Sequence, residues 1–133
     1  MRLDFAFVCD YAELGAKINA LGIGFDTIYA PKIPATHPHL HLVAQLRASI
    51  AEAGEKQLSV SLIDADGKEV QQPVTGNFNL PKPQGATESV GRIAIAFNNT
   101  TFPRYGEYSI HMTVQGNELV RIPLRVLPTP EQR

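Results

Sequence analysis

Residues 107–126 read EYSIHMTVQGNELVRIPLRV, and this stretch gives the clearest indication of the fold class. In each half, apolar side chains recur at every second position, which is the period of a strand with one buried face. Gln115-Gly116-Asn117 stands between the halves and supplies a short turn. The stretch therefore predicts a β-hairpin with strands at residues 107–114 and 119–126.

The same alternation recurs in most of the remaining chain. Turn-forming residues separate the alternating segments at the spacing expected of a sandwich or barrel. The sequence therefore predicts an all-β fold, a single antiparallel β-sandwich of about eight strands, immunoglobulin-like or jelly-roll-like. Further extended segments are predicted at residues 2–9, 17–21, 25–29, 39–47, 58–62, 68–74 and 90–97.

Two connections have clear turn chemistry. Gly22 and Gly24 predict a sharp bend, because glycine accepts the backbone angles that a bend requires. Asp64-Ala65-Asp66-Gly67 contains an Asp-Gly pair, which favours a tight turn. It predicts a hairpin between residues 58–62 and 68–74.

The other connections are predicted from composition. Residues 10–15 are expected to turn the chain, and the prolines of residues 31–38 indicate an extended crossing between sheets. Residues 75–89 hold two prolines and two glycines and predict a long irregular connection. Residues 42–53 are also compatible with a helix; we expect strand first and then a short helical turn ended by Gly54.

Composition limits the classes of protein and partner. The chain has 133 residues, 44% hydrophobic and 19% charged, so we expect one globular domain over residues 1–127 and a loose tail over residues 128–133. Twelve Lys and Arg oppose thirteen Asp and Glu without a basic cluster, so neither nucleic acid nor a membrane is a predicted partner. The apolar segments are too short for a signal peptide or a span, and Cys9 is the only cysteine, so the expected location is cytoplasmic.

One segment resembles a known structural pattern. The segment Phe102–Ile110, which contains Gly106-Glu107-Tyr108, is similar to the turn into the penultimate strand of an immunoglobulin-like sandwich. The resemblance covers the last third of the chain and implies that Tyr108 is buried, with its hydroxyl bonded to nearby backbone. Ile110 stands where that pattern usually has a cysteine.

Five features follow one another along the chain: Leu3–Phe7, Gly22–Asp26, Pro34–Pro38, Asp64–Gly67 and Phe102–Tyr108. Their order is similar to that in a family of small bacterial proteins with no assigned function. The resemblance implies relatives but brings no catalytic residues.

Motifs of catalysis are missing from the sequence, which favours a non-enzymatic protein without a cofactor. No nucleophile elbow, nucleotide loop or His-Glu-x-x-His occurs. Cys9 alternates with Phe5 and Phe7, so we interpret it as a buried small hydrophobe. Asp26 follows the glycine bend and is a candidate ligand-binding residue, although a backbone-bonding role at the bend is favoured over it.

Three of the four histidines stand together as His37, His39 and His41. On a strand, His39 and His41 lie on the same side with Cα atoms about 6.5–7 Å apart, so both imidazoles can reach one divalent metal. Leu40 and the alternate residues after it are predicted to face the core, so these histidines are expected on the opposite face. On such a face, a row of solvated polar side chains is the ordinary outcome. His111 is expected to face outward and can add a fourth ligand only if its strand is a neighbour.

Three functions therefore remain open. The favoured one is a non-enzymatic binding or assembly module that acts through its surface and strand edges, as a homo-oligomer or with a protein partner. The second is a metal-binding protein that uses His37, His39 and His41. The third is a binder of small ligands or carbohydrates that uses Asp26, Phe78 and Tyr105.

Overall fold

The computed structural model describes residues 1–130, and these form a chain of strands with one short 3₁₀ turn. The alternating segments predicted from the sequence account for most of the strands. The strands are β1 (Arg2–Cys9), β2 (Tyr11–Leu14), β3 (Ile18–Leu21), β4 (Thr27–Ala30), β5 (Ala35–Ser49), β6 (Gly54–Asp64), β7 (Val74–Leu80), β8 (Glu88–Phe102), β9 (Gly106–Val114) and β10 (Asn117–Pro128), and the 3₁₀ turn is Ile50–Glu52.

The strands form three sheets. One sheet has the order β1-β5-β8, a second has the order β4-β10-β9-β6-β7, and β2 and β3 form a separate two-stranded hairpin. Most neighbours are antiparallel, whereas β4 runs parallel to the end of β10, with Thr27 opposite Arg125 and Ala30 opposite Pro128.

One apolar cluster joins the two larger sheets. Alternation places every second side chain of a strand on one face, and in β5 and β9 these side chains are almost completely buried. Each fully buried Leu or Ile contributes roughly 1.5–3 kcal/mol of transfer free energy, so this shared core is the main source of stability. Its members on these two strands include Leu40, Leu42, Ala44, Leu46, Tyr108, Ile110, Met112 and Val114.

The β2–β3 hairpin covers part of the opposite face of β5. There Cys9, Ala12 and Val43 form a second, smaller buried cluster. Burial, and the negative charge of Asp10, raise the pKa of the Cys9 thiol, so this side chain is a packing group rather than a thiolate. Because both faces of β5 are covered here, residues of this strand that the alternation assigned to solvent become buried.

Several predictions from the sequence are confirmed. The fold is all-β, and the hairpin of β9 and β10 is present, with Gly116 at positive φ in the turn. Gly67 closes the predicted turn by donating its N–H to the Asp64 carbonyl at 3.0 Å, and a short 3₁₀ turn precedes Gly54. Tyr108 is buried, with 5% of its surface exposed, and its hydroxyl donates to the Arg104 carbonyl at 2.6 Å.

The predicted sheet organisation needs correction. The structure has several sheets in place of one simple eight-stranded arrangement, and the pairing of β4 with β10 is parallel. Sequence alternation reports which face of a strand is buried and carries no information about strand direction. The parallel pair therefore could not be predicted from it.

The predicted partner of residues 58–62 is present only in part. Next to the turn, the Val70 N–H donates to the Leu62 carbonyl at 2.9 Å and Glu69 forms a single bridge with Ile63, but the strand that pairs with β6 is β7. Strand β7 begins at Val74, the last residue of the predicted partner, and continues through Leu80 inside residues 75–89, the segment predicted to be irregular. Its polar residues and Gly76 obscured the strand, because edge strands tolerate both.

Two further segments are more regular than predicted. Residues 10–15 contain β2, and the proline-rich crossing already enters β5 at Ala35. At the other end, β10 reaches Pro128 and the Thr129 N–H donates to the Ala30 carbonyl at 3.1 Å, so the predicted tail begins with paired residues. Residues 131–133 of that tail lie outside the described residues. No helix within residues 1–130 is long and apolar enough to cross a membrane.

Candidate functional site

A cavity of about 710 Å³ opens beside β5 where the β2–β3 hairpin ends, and we call it the histidine cleft. This volume lies within the range of about 300–1,000 Å³ that is usual for small-molecule sites. The residues that line it are Asp10, Tyr11, His37, Pro38, His39, His41, Ala96 and Asn98.

The strand geometry explains why three histidines line one cleft. His37, His39 and His41 occupy alternate positions of β5 and therefore project to the same side of the sheet. On the neighbouring strand β8, Asn98 lies opposite His39 and Ala96 lies opposite His41. The small Ala96 side chain leaves space beside the imidazoles, and Asn98 adds an amide at the same edge.

His41 is the most enclosed of the three histidines, with 9% of its surface exposed. Its Nδ1 lies 3.2 Å from the Asp10 carbonyl oxygen, and the Tyr11 ring packs edge-on against the imidazole, with centroids 5.3 Å apart. A carbonyl oxygen only accepts hydrogen bonds, so Nδ1 carries the proton. In the neutral ring, Nε2 is then a free acceptor.

His37 contributes a buried polar atom without a partner. Within residues 1–130, its Nε2 is shielded from solvent and makes no hydrogen bond. Buried polar side-chain atoms are nearly always paired, so an unpaired one marks a place where a ligand group gains a hydrogen bond. His39 is exposed at the mouth of the same cleft.

Metal binding by His37, His39 and His41 stays a prediction. Among the described residues, no three or more His, Cys, Asp or Glu side chains are grouped so that they could hold a metal ion. His111 lies on β9 in the other large sheet and so does not join them. What the cleft shows directly is hydrogen-bonding capacity, at His41 and at the unpaired Nε2 of His37.

The predicted ligand residues Asp26, Phe78 and Tyr105 are not brought together. Phe78 is half-buried on β7, whereas the Tyr105 hydroxyl donates to the carbonyl of Ala30 on β4 at 2.9 Å. Strands β7 and β4 are the two opposite edges of the five-stranded sheet. Both side chains pack against the main core, which is a structural role.

Asp26 lies at the start of β4, and within the described residues its side chain makes no bond to backbone. Its main-chain carbonyl accepts the Arg125 N–H at 2.8 Å, and its carboxylate accepts the Thr27 hydroxyl at 2.9 Å. The first of these bonds attaches the start of β4 to β10. The carboxylate itself remains exposed.

Sequence reasoning missed Tyr11 and Asn98 as cleft residues. Tyr11 lay in the segment predicted to be a turn, although the alternation of Tyr11, Glu13 and their neighbours is a short strand signal. Asn98 reaches the cleft through cross-strand pairing, which a single sequence does not show.

A comparison with family models matches residues 4–127 to a family of unknown function, DUF6941. The chain belongs to this family. The match confirms the resemblance to an uncharacterised family and adds no activity to the DUF6941 chain. No curated protein matches it.

Two solved structures are similar to parts of the DUF6941 chain. A β-glucosidase from Listeria innocua, in complex with gluconolactone, matches 76% of this chain at 9% identity with a TM-score of 0.50. A Pseudomonas fluorescens alkylpurine DNA glycosylase, AlkC, bound to DNA containing an abasic site analog, matches 77% at 14% identity with a TM-score of 0.43. The chain spans 14% and 28% of those proteins. The first likeness concerns the fold alone, and the second is too low to support an argument.

Proposed function

We propose that this chain is a binding module and that the histidine cleft takes a small polar ring ligand of the saccharide type. The observation that carries the proposal is the convergence of three imidazoles on one cavity of about 710 Å³ beside the ring of Tyr11. Half of the Tyr11 surface is exposed, so this ring offers an apolar surface to a ligand.

The hydrogen-bonding groups fit a ligand with several hydroxyls. The unpaired Nε2 of His37 and the amide of Asn98 supply donors or acceptors, and His41 Nε2 supplies an acceptor. A hydroxyl is both a donor and an acceptor, so it can satisfy each of these groups. Binding of this kind involves no chemical step.

Titration with a panel of monosaccharides and disaccharides, followed by calorimetry and by NMR of the imidazole signals, tests the cleft. We expect saturable binding that Tyr11→Ala weakens at least tenfold. Tyr29→Ala is the matched control, because Tyr29 is similarly exposed and lies outside the cleft. Binding that both variants leave unchanged, or no binding at all, contradicts the proposal.

A second candidate function, self-assembly, is favoured by strand β8. It is 15 residues long, and within the described chain it pairs only with β5, so its other edge is unpaired. From Ile93 to Phe102 this strand has no charged side chain, and charge is the usual protection of an edge. We propose that the two larger sheets form an immunoglobulin-like sandwich and that two copies join along β8.

The molar mass in solution tests this association. A chain of 14.6 kDa should double its mass by light scattering, and Thr101→Lys should return it to one chain. Thr75→Lys places the same charge on an exposed threonine of β7, which is an edge strand of the five-stranded sheet, and should leave the dimer intact. A parent chain that stays at one chain's mass at high concentration excludes the dimer.

The location proposed from the sequence is consistent with the fold. Cys9 is buried and is the only cysteine, so the domain needs no disulfide and suits a reducing compartment such as the cytoplasm.

A further inference from the structure

The outer face of the five-stranded sheet carries a chain of three hydrogen-bonded side chains. Ser109 Oγ lies 2.7 Å from His111 Nε2, and His111 Nδ1 forms a short contact with the carboxylate of Glu118. An ionised carboxylate only accepts hydrogen bonds, so the proton of the neutral imidazole lies on Nδ1. Nε2 is then bare, and the Ser109 hydroxyl donates to it.

Two features of the fold assemble this group. Ser109 and His111 are two residues apart on β9 and therefore share one face. Glu118 has the same parity as the buried Val120, but a register shift between them breaks the alternation and places Glu118 opposite Thr113. Such bulges re-aim side chains, and here the bulge turns a carboxylate towards His111.

The hydrogen bond to His111 is the first cause that holds the pKa of Glu118 below its usual value, and the charge of Arg121 acts in the same direction. Glu118 therefore stays ionised at neutral pH and orients the imidazole. Glu118 thus occupies the position of the carboxylate in a serine–histidine–carboxylate triad, where the carboxylate fixes the tautomer of the histidine base.

Ser109 and His111 line an open cleft of about 520 Å³, which we call the sheet-face cleft, whereas Glu118 is not part of its lining. Across the sheet, Ile63 and Pro123 lie directly on either side of Ser109 and give it apolar walls. Arg121 lies opposite His111 and lines the same cleft; its guanidinium lies 3.6 Å from the Glu118 carboxylate and is a cationic donor for a substrate oxygen.

We propose that Ser109, His111 and Glu118 form an acyl-transfer site that hydrolyses small carboxylic esters. Ser109 Oγ attacks the ester carbonyl while its proton passes to His111 Nε2. The bond to the leaving alcohol breaks, and His111 returns the proton to that alcohol. Water, deprotonated by the same nitrogen, then attacks the acyl-serine carbonyl; the bond to Ser109 Oγ breaks, and His111 returns the proton to that oxygen, so that ester and water become acid and alcohol and the site is regenerated.

This activity goes beyond the proposed binding function and uses none of its residues. Ser109 and His111 lie on β9, in the five-stranded sheet, whereas the histidine cleft lies on β5 and β8 of the other sheet. Tyr11→Ala should therefore leave the reactivity of Ser109 unchanged, so the two proposals fail independently.

A fluorophosphonate probe and p-nitrophenyl acetate test the site on the full chain. We expect the probe to form one covalent adduct, located at Ser109 by peptide mass spectrometry, and Ser109→Ala to abolish it. His111→Ala should slow the labelling and the release of p-nitrophenol by about 10²-fold, the size of a lost general base.

Ser61→Ala is the matched control, because Ser61 lies directly opposite His111 on β6 and is half-buried like Ser109. It should label at the parental rate. Circular dichroism and the melting temperature verify that each variant is folded. A parent chain that shows no adduct, or a Ser109→Ala variant that is labelled as fast as the parent, overturns the proposal and leaves the three side chains as a structural hydrogen-bond chain.

Discussion

Tyr108 joins the core to the loop before β9. Its ring packs edge-on against Phe102 at 5.0 Å, while its hydroxyl donates to the Arg104 carbonyl and accepts the Arg104 N–H at 3.3 Å. Tyr108→Phe keeps the ring but leaves the N–H and the carbonyl of Arg104 without their hydrogen-bond partner. We therefore expect a loss of roughly 1 kcal/mol in the free energy of unfolding. Urea denaturation measures it, with the exposed Tyr29→Phe as the control that should change nothing.

Gly22 is the second residue for which the structure makes a sharp prediction. Its φ is +70°, and a Cβ there would lie 2.1 Å from the Asp10 carboxylate oxygen. Gly24 also has positive φ, but a Cβ there would meet open space. Both Ala variants carry the cost of a left-handed backbone, on the order of 1 kcal/mol, and Gly22→Ala adds a collision.

Thermal denaturation should therefore give a lower melting temperature for Gly22→Ala than for Gly24→Ala. Equal losses would show that Asp10 moves aside freely. Since the Asp10 carbonyl accepts from His41, a displaced Asp10 should also alter ligand binding in the histidine cleft.

At the residue scale, the sequence predicts roles that depend on local pattern. The role of Tyr108 follows from the resemblance carried by Gly106-x-Tyr108, and the structure has it. Cys9 is buried as predicted, but it packs beneath the β2–β3 hairpin with Ala12 and Val43, whereas its alternate neighbour Phe5 is 39% exposed. The partners of His111 do not follow, because Glu118 comes into place only through a bulge that the alternation of β10 does not predict. Triad-like geometry of this kind depends on register, and a single sequence does not carry the register.

At the scale of elements, the turn after β6 should make stability depend on pH. The backbone N–H of Lys68 is the first cause that lowers the pKa of Asp64, with further contributions from the N–H of Asp66 and from Arg104. A lowered folded-state pKa means that Asp64 stabilises the fold above its unfolded pKa, and this contribution is lost as the pH falls through the folded value.

Asp64→Asn should therefore reduce the fall in unfolding free energy that the parent shows as the pH drops below the ordinary aspartate value of 3.8. Chemical denaturation at a series of pH values measures that slope. Asp66→Asn changes an exposed aspartate of the same turn and serves as the control. Parallel slopes for the parent and Asp64→Asn would contradict the role of these hydrogen bonds.

Element boundaries show where sequence reasoning succeeds and where it ends. Strand β9, whose alternation is uninterrupted, and strand β10, which alternates regularly from Val120 onward, are found within a few residues. Strand β8 extends beyond its predicted end at residue 97. Asn99 adopts positive φ, and beyond it the buried side chains are the even-numbered Thr100 and Phe102 in place of odd-numbered ones. A change of parity inside a strand appears to a pattern search as the end of that strand.

For the whole molecule, the order of the strands within the sheets could not be predicted from the sequence. Which strand lies beside which depends on contacts between residues far apart in the chain, such as Thr27 with Arg125. The histidine cleft illustrates the same limit. Its three histidines were predicted from their spacing, but Tyr11 and Asn98 join them only because the β2–β3 hairpin and β8 reach the same end of β5.

The contact that fastens the two larger sheets at one edge gives the last prediction. Leu80 ends β7 in the five-stranded sheet with 1% of its surface exposed, and Gly91 lies on β8 in the other sheet. A Cβ at Gly91 would lie 2.6 Å from Leu80 Cδ2, so the leucine occupies the space that the glycine leaves. Gly91→Ala should therefore cost roughly 1–3 kcal/mol by overpacking, and Leu80→Ala roughly 2–5 kcal/mol by opening a cavity.

A variant that carries both Gly91→Ala and Leu80→Ala tests whether the two residues pack against each other or whether each substitution acts independently. With Leu80 truncated, the methyl group that Gly91→Ala adds no longer collides and fills part of the cavity. The loss of unfolding free energy in the double variant should therefore be smaller than the sum of the two single losses by about 0.5–3 kcal/mol, the range for residues in contact. Urea denaturation of the four proteins measures the coupling, and Phe78, which also lies near Gly91, is left unchanged in all of them. Additive losses would mean that the sheets do not pack against each other at this edge, because independent sites do not share a cavity.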